Sequence, residues 1–353
     1  MKTLQTRSAF SVLLSIVMAL LPMSESLACS RAVYLGPEDT IITVRSMDWA
    51  TDLGSNLWSF PRGMARDGAA GPRSIRWTSK YGSVVATAFE LATADGMNEK
   101  GLVANLLYLA ESEYAKQPRD NAQQAMSISA WAQYVLDNYA TVAEAVADLR
   151  KEAFRVVPVD SPDGHAGTVH LAISDQSGDS AIFEYVGGKL VIHHGRQYQV
   201  MTNSPIYDQQ LALADYWKQI GGTTMLPGTN RAADRFVRAS FYINAIPKTA
   251  NINEAVASAF SVIRNVSVPL GISTPGQPNI SSTLWRTVSD HKNRRYYFES
   301  TRTPNVFWVA LADIDFTAGK PAGHLVLTSG AIYAGNTARQ FQPATPFKFL
   351  VAQ

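Results

Sequence analysis

One cysteine occurs in the whole chain, Cys29, directly behind a segment with the make-up of a secretory leader. Lys2 and Arg7 precede a mostly apolar run from Ala9 to Met23. Ser24-Glu25-Ser26-Leu27-Ala28 follows, with small residues three places and one place before the cysteine. The apolar run is short for a bilayer span and reads as the core of a signal peptide cut after Ala28. Residues 1–28 are then a removed leader, and 29–353 a single domain beginning at Cys29. The expected destination is the periplasm or the cell exterior. A lone cysteine excludes an intramolecular disulfide and any multi-cysteine metal site. With 46% hydrophobic and 17% charged residues among 353, the chain has globular proportions and ample core material.

Loss of the leader removes Lys2, Arg7 and Glu25, so 31 basic and 29 acidic residues become 29 and 28, a net charge of +1. No basic block is present, and nucleic acid is not an expected partner. No later stretch approaches the length of apolar sequence that a membrane span needs, so no membrane association is expected after cleavage.

Alternating or apolar runs at Arg31 to Leu35, Thr40 to Trp49, Ser83 to Ala88 and Leu102 to Leu107 read as strands separated by turns. Helical periodicity takes over at Ala125 to Tyr139 and at Thr141 to Lys151, with Thr141 as N-cap. Strands return at Thr168 to Ser174, Ala181 to Tyr185, Lys189 to His193 and Gln199 to Thr202. Helices follow near Tyr207 to Ile220, Ala232 to Ala245 and Asn253 to Ile263. Strands close the pattern at Thr283 to Ser289, Arg295 to Glu299 and Val306 to Leu311. Strands and helices segregated in blocks predict an α+β layered fold in one domain rather than a parallel βαβ one.

Nucleotide loops, a His-Glu-x-x-His zinc motif and a Gly-x-Ser-x-Gly elbow are all missing. Ser289-Asp290-His291-Lys292 fits a Ser-x-x-Lys pattern, but two fixed residues recur by chance and the Lys-Thr-Gly companion is missing; it reads as a turn. His165, His170, His193, His194, His291 and His324 show no ligand spacing with carboxylates and read as core or surface residues. A papain-like Cys–His pair lacks its surrounding signature.

Three accounts of Cys29 remain: an incidental thiol, the acylated first residue of a lipoprotein, or an N-terminal nucleophile whose own α-amine serves as base. Lipoprotein processing prefers Leu three places before the cysteine, where this chain has Ser26. Two segments bear on the choice, Cys29-Ser-Arg-Ala-Val-Tyr34 and Val44-Arg45-Ser-Met-Asp48-Trp49. They read as the outgoing and returning strands of a hairpin with Cys29 at its open end. Arg45 and Asp48 are therefore expected near the thiol, Arg45 favouring thiolate and Asp48 accepting from the ammonium or the thiol.

With Asp95-Gly-Met-Asn-Glu-Lys-Gly101, Met201-Thr-Asn203-Ser-Pro205, Leu226-Pro-Gly228 and Asp234-Arg235-Phe-Val-Arg-Ala239, these segments resemble the choloylglycine hydrolase family of N-terminal-nucleophile hydrolases. That family includes bile salt hydrolases and penicillin V acylases. The resemblance implies an αββα four-layer sandwich, a homotetramer, and hydrolysis of linear amides with no metal or cofactor. It also implies site roles: Cys29 as nucleophile, Arg45 and Asp48 as its neighbours, and Arg235 as a second arginine. Asn203 would be an oxyanion donor, with the backbone N–H of Tyr108 as the other. Asn105-Leu-Leu-Tyr108 departs from the commoner Gly-Leu-Asn pattern, and the segment between Asn203 and Arg235 is short for a bile salt hydrolase.

The expected substrate is a small N-acyl amide of the penicillin V or N-acyl homoserine lactone kind. Conjugated bile salts are the alternative within the class, and a non-catalytic lipoprotein or binding protein the alternative outside it. Trp49, Trp58, Phe60, Tyr81 and Tyr108 are candidates to line the acyl pocket.

Overall fold

Strand β1 (Cys29–Leu35) turns back into β2 (Ile41–Trp49), with Cys29 opposite Met47 and Leu35 opposite Ile41. The computed structural model describes residues 29–116, 118, 123–222, 224–272 and 281–352; the expected leader, 1–28, lies outside the described residues. Val200–Met201 pairs on the free edge of β1, and Ser282–Asp290 on that of β2. Arg295–Ser300 and Val306–Ala310 extend a seven-stranded sheet. A nine-stranded sheet holds Ser83–Ala88, Ala92–Asn98, Val103–Tyr108, Val169–Ser174 and Ser180–Val186 among its members.

Side chains alternate across a strand, and this alternation sets the layers. Arg31 donates to Ser180 Oγ at 3.0 Å, and Thr43 meets Ser174 at 2.7 Å. The odd-numbered residues of β1 and β2 thus face the second sheet. Even-numbered Ser30 accepts from Arg235 at 2.6 Å, and the Tyr34 hydroxyl donates to the Pro247 carbonyl at 3.0 Å, both toward the helices. Helices Ala232–Ala245 and Ile252–Asn265 cover that outer face. Helices Ile128–Asn138 and Val142–Leu149 cover the outside of the other sheet, where Trp131 and Val135 pack with Leu171, Ile173 and Phe183. The result is the anticipated αββα sandwich.

Helices Tyr207–Ile220 and Ala232–Ala245 lie where periodicity put them, and the Thr141 hydroxyl caps its helix by accepting from the Glu144 N–H at 3.2 Å. The helix expected from Ala125 begins only at Ile128. Ser127 caps it, accepting from the Ser129 N–H at 3.3 Å, and Gln124–Ser127 is a strand. Strand Ala92–Asn98 escaped the sequence reading because Asp95, Gly96 and Asn98 interrupt its alternation. Gly96 is required there: a Cβ would come within 2.7 Å of the Val84 carbonyl oxygen and 2.9 Å of Leu136 on the overlying helix.

Candidate active site

Cys29 opens β1 on the face between the sheets and is 2% exposed. Its backbone nitrogen donates to Asn203 Oδ1. Its Sγ lies 3.8 Å from the Asp48 carbonyl oxygen and 3.8 Å from Met47 Sδ. Arg45, on the same face of β2, brings Nη2 to 3.9 Å from Sγ and donates to the Leu106 carbonyl at 3.0 Å. Burial pushes the thiol above its ordinary value; Arg45 and Arg235 pull it down, Asp48 adds to the rise, and the net result is upward. Arg45 favours the thiolate, as expected, and burial more than offsets it. Desolvation of a fully enclosed sulfur outweighs one guanidinium at this distance.

Arg45 is held by groups that the hairpin alone did not reveal. Asp95 Oδ2, from strand Ala92–Asn98, lies 3.8 Å from Arg45 Nη1, and the guanidinium stacks 4.5 Å above the Trp285 ring. Asp95 in turn accepts from Tyr296 at 2.5 Å and from Asn105 Nδ2 at 2.6 Å. A fully buried arginine needs such a counter-charge. In the sequence Asp95 is only the first residue of Asp95-Gly-Met-Asn-Glu-Lys-Gly101; its role as partner to Arg45 shows once the buried strand that carries it is in place.

Asp48 lies three residues after Arg45, so the two-residue period of the strand turns it to the opposite face. Its carboxylate accepts from Thr283 Oγ1 at 2.5 Å and Ser46 Oγ at 3.3 Å, and sits 3.8 Å from Arg235 Nη1. The Cys29 nitrogen meets Asn203, the sulfur faces the Asp48 backbone carbonyl, and the Asp48 carboxylate is engaged by Arg235. Burial raises the Asp48 carboxyl above its usual range and lowers Arg235, and each charge opposes the shift of the other.

Arg235 rises from helix Ala232–Ala245 and donates to the Cys29 carbonyl at 2.6 Å, to Ser30 Oγ at 2.6 Å and to Asn203 Oδ1 at 2.8 Å. Arg238, one turn on, donates to the carbonyls of Pro227 and Thr229 at 2.7 and 2.8 Å, which fixes the Leu226-Pro-Gly228 loop. Asn203 receives Cys29 and Arg235 on its oxygen and spends one amide hydrogen on the Tyr108 carbonyl at 2.7 Å. Its second amide hydrogen remains for another acceptor. The Leu109 N–H donates to the Thr168 carbonyl. Alternate residues of a strand point to alternate neighbours, so the Tyr108 N–H and carbonyl point away from that strand, to the side of Asn203.

Strand Ala92–Asn98 pairs with Val103–Tyr108 only over Asp95–Met97. Past that point the two strands part, which frees the Leu106 carbonyl for Arg45 and opens a cleft. Cys29, Arg45 and Tyr108 stand at one end, and the walls are apolar: Leu53, Phe89, Leu91, Ile128, Val159 and Leu350 among them. Of the aromatic candidates, Trp49 and Tyr108 line it, edge to face at 6.0 Å. Trp49 is pinned by its Nε1–H to Asp163 at 2.7 Å. Trp58 and Phe60 belong to the core on the far side of the sheet, and Tyr81 packs under Lys100. Among the described residues no cluster of three or more His, Cys, Asp or Glu is placed to hold a metal ion.

Residues 29–322 match the family model described as linear amide C–N hydrolases, choloylglycine hydrolase family. The chain is 53% identical over 359 residues to a penicillin V acylase of Pectobacterium atrosepticum, covering 95% of this chain and 96% of that one. The solved penicillin V acylase of Agrobacterium tumefaciens superposes with a TM-score of 0.85 at 59% identity, over 92% of this chain and all of the other. A bile salt hydrolase/transferase of Clostridium perfringens is more distant, 24% identical over 72% of this chain and 84% of its own. A cysteine opening the first described strand between two sheets and an extended match over both chain and fold point the same way: this protein belongs to the choloylglycine hydrolase family of linear amide C–N hydrolases.

Proposed function

We propose that the chain, exported to the periplasm and trimmed to begin at Cys29, hydrolyses N-acyl amides with an apolar acyl group, penicillin V or N-acyl homoserine lactones being representative. The carrying observation is the placement of the Cys29 nitrogen on Asn203 while the Cys29 sulfur faces an apolar cleft. Trimming converts that nitrogen into an α-amine, whose ordinary pKa of about 8 leaves a useful neutral fraction near neutrality. A thiol raised by burial needs a base at the moment of attack, and the amine of the same residue is within reach. The amine takes the Sγ proton as sulfur adds to the amide carbon. The second Asn203 amide hydrogen and the Tyr108 N–H receive the oxyanion. Collapse breaks the C–N bond, and the ammonium proton passes to the leaving amine. Water, deprotonated by the same amine, then cleaves the thioester and restores the thiol. Arg45 and Arg235 hold Cys29 and Asn203 in register, and no metal or cofactor enters the sequence of steps. A homotetramer is the proposed assembly.

Bile salts remain the second reading, supported by the distant bile salt hydrolase/transferase relative. The test is to quench turnover of penicillin V, decanoyl homoserine lactone and glycocholate in acid and weigh the intact protein. The expected result is an acyl adduct on Cys29 from the first two and kcat/KM for them at least tenfold above glycocholate. A preference for glycocholate would move the substrate class and keep the chemistry; turnover without any dependence on Cys29 would remove the chemistry.

A further inference from the structure

The far wall of the acyl cleft is built by the end of the chain. Cys29, Met47 and Ala94 belong to the core between the sheets, whereas Ile128 and Phe349 belong to the core beneath the outer helices. The cleft touches both sets, through Cys29 at one end and Ile128, Ser129 and Leu350 at the other. It therefore passes the parted ends of strands Ala92–Asn98 and Val103–Tyr108 and ends on the far side of the nine-stranded sheet.

Leu350 is held there from every side. Its N–H donates to the Leu91 carbonyl at 2.9 Å, and its carbonyl accepts from Ser127 Oγ at 2.8 Å and Ser129 Oγ at 2.9 Å. Both serines sit at the start of helix Ile128–Asn138. Phe349 is buried against Phe347, and the Ala352 N–H donates to the Ala69 carbonyl at 2.8 Å, so the segment is fastened before and after Leu350. These contacts spend four hydrogen bonds on a stretch of three residues whose one cleft-facing side chain is Leu350. The stretch lies beyond residue 322, where the family model's match ends; the nucleophile end lies inside it.

We infer that Leu350 sets the acyl length the enzyme accepts, acting as the stop against which the far end of the acyl group packs. This rests on the amidohydrolase reading above. A pocket wall one methylene closer or further changes discrimination between neighbouring chain lengths by about tenfold or more, and here Leu350 shares that wall with Ile128 and Ser129, away from Cys29.

The experiment uses the full processed chain and a series of butanoyl to dodecanoyl amides of one amine, homoserine lactone. Leu350→Ala is expected to raise the decanoyl-to-hexanoyl ratio of kcat/KM by about tenfold, Leu350→Phe to lower it by a similar factor, and volume-conserving Leu350→Met to keep the wild-type profile. An equal change at every chain length in all three variants would overturn the inference and leave Leu350 as packing alone. Affinities of the free fatty acids for the same variants give an independent readout. Length preference that follows residue 350 in binding, with no amide hydrolysed by the wild type, would overturn the amidohydrolase reading and not the ruler. Binding indifferent to residue 350 would overturn the ruler.

Discussion

The two ends of the cleft are built by opposite means. At the nucleophile end Arg45, Asp48, Asp95 and Arg235 are all fully buried, and each is fixed by at least two hydrogen-bonding or ionic partners from other elements. At the acyl end Leu53, Phe89, Leu91 and Leu350 contribute shape and apolar surface, from loops and the chain end. A buried charge without its partner costs several kcal/mol, so the first region tolerates little change. An apolar wall tolerates exchange of one aliphatic side chain for another at a cost near 1 kcal/mol. Chemistry and specificity can therefore vary separately in this fold.

The contrast is broken most severely at Asn203. Asn203→Ala removes the acceptor of the Cys29 nitrogen and of Arg235 together with the amide proposed to donate to the oxyanion, and kcat is expected to fall by roughly 10²–10³-fold. A change confined to KM would place Asn203 with the acyl wall instead.

Asp95→Asn probes the same end with a smaller effect. Without the carboxylate, the Arg45 charge is uncompensated and acts more strongly on the thiol, so the pH midpoint of Cys29 alkylation should move downward from its raised value while kcat drops by about tenfold. An unmoved midpoint would reduce Asp95 to packing. The Leu350 substitutions complete the comparison at the apolar end, where ratios between substrates should move more than any single rate.

Much of the nucleophile end was legible in the sequence because strand periodicity and short motifs carry it. The β1–β2 hairpin brought Arg45 beside Cys29, and Asn203 and Arg235 came from motifs on either side of the intervening helix. What the hairpin could not resolve was facing: both side chains are expected near the thiol, and the pleat turns Arg45 to the face between the sheets and the Asp48 carboxylate toward Thr283 and Arg235. Asp95 was hidden for a related reason, since a carboxylate beside glycine and asparagine reads as a turn until the overlying helix and Tyr296 are seen. Leu350 had no signal at all. It lies in an irregular segment about 320 residues from Cys29, and only tertiary hydrogen bonds to Ser127, Ser129 and Leu91 bring it to the cleft.

The proposed chemistry turns on one nitrogen, the α-amine that leader removal would give Cys29, as the base that activates its own thiol. The direct measurement compares the trimmed enzyme with one that retains a single Met before Cys29, both verified by intact mass, with thermal unfolding and thiol titration run on each. The prediction is an intact fold and a titratable Cys29 in both, with amide hydrolysis lost by at least 10²-fold in the Met-retaining form, because an amide nitrogen accepts no proton. Equal hydrolysis by the two forms would contradict the account.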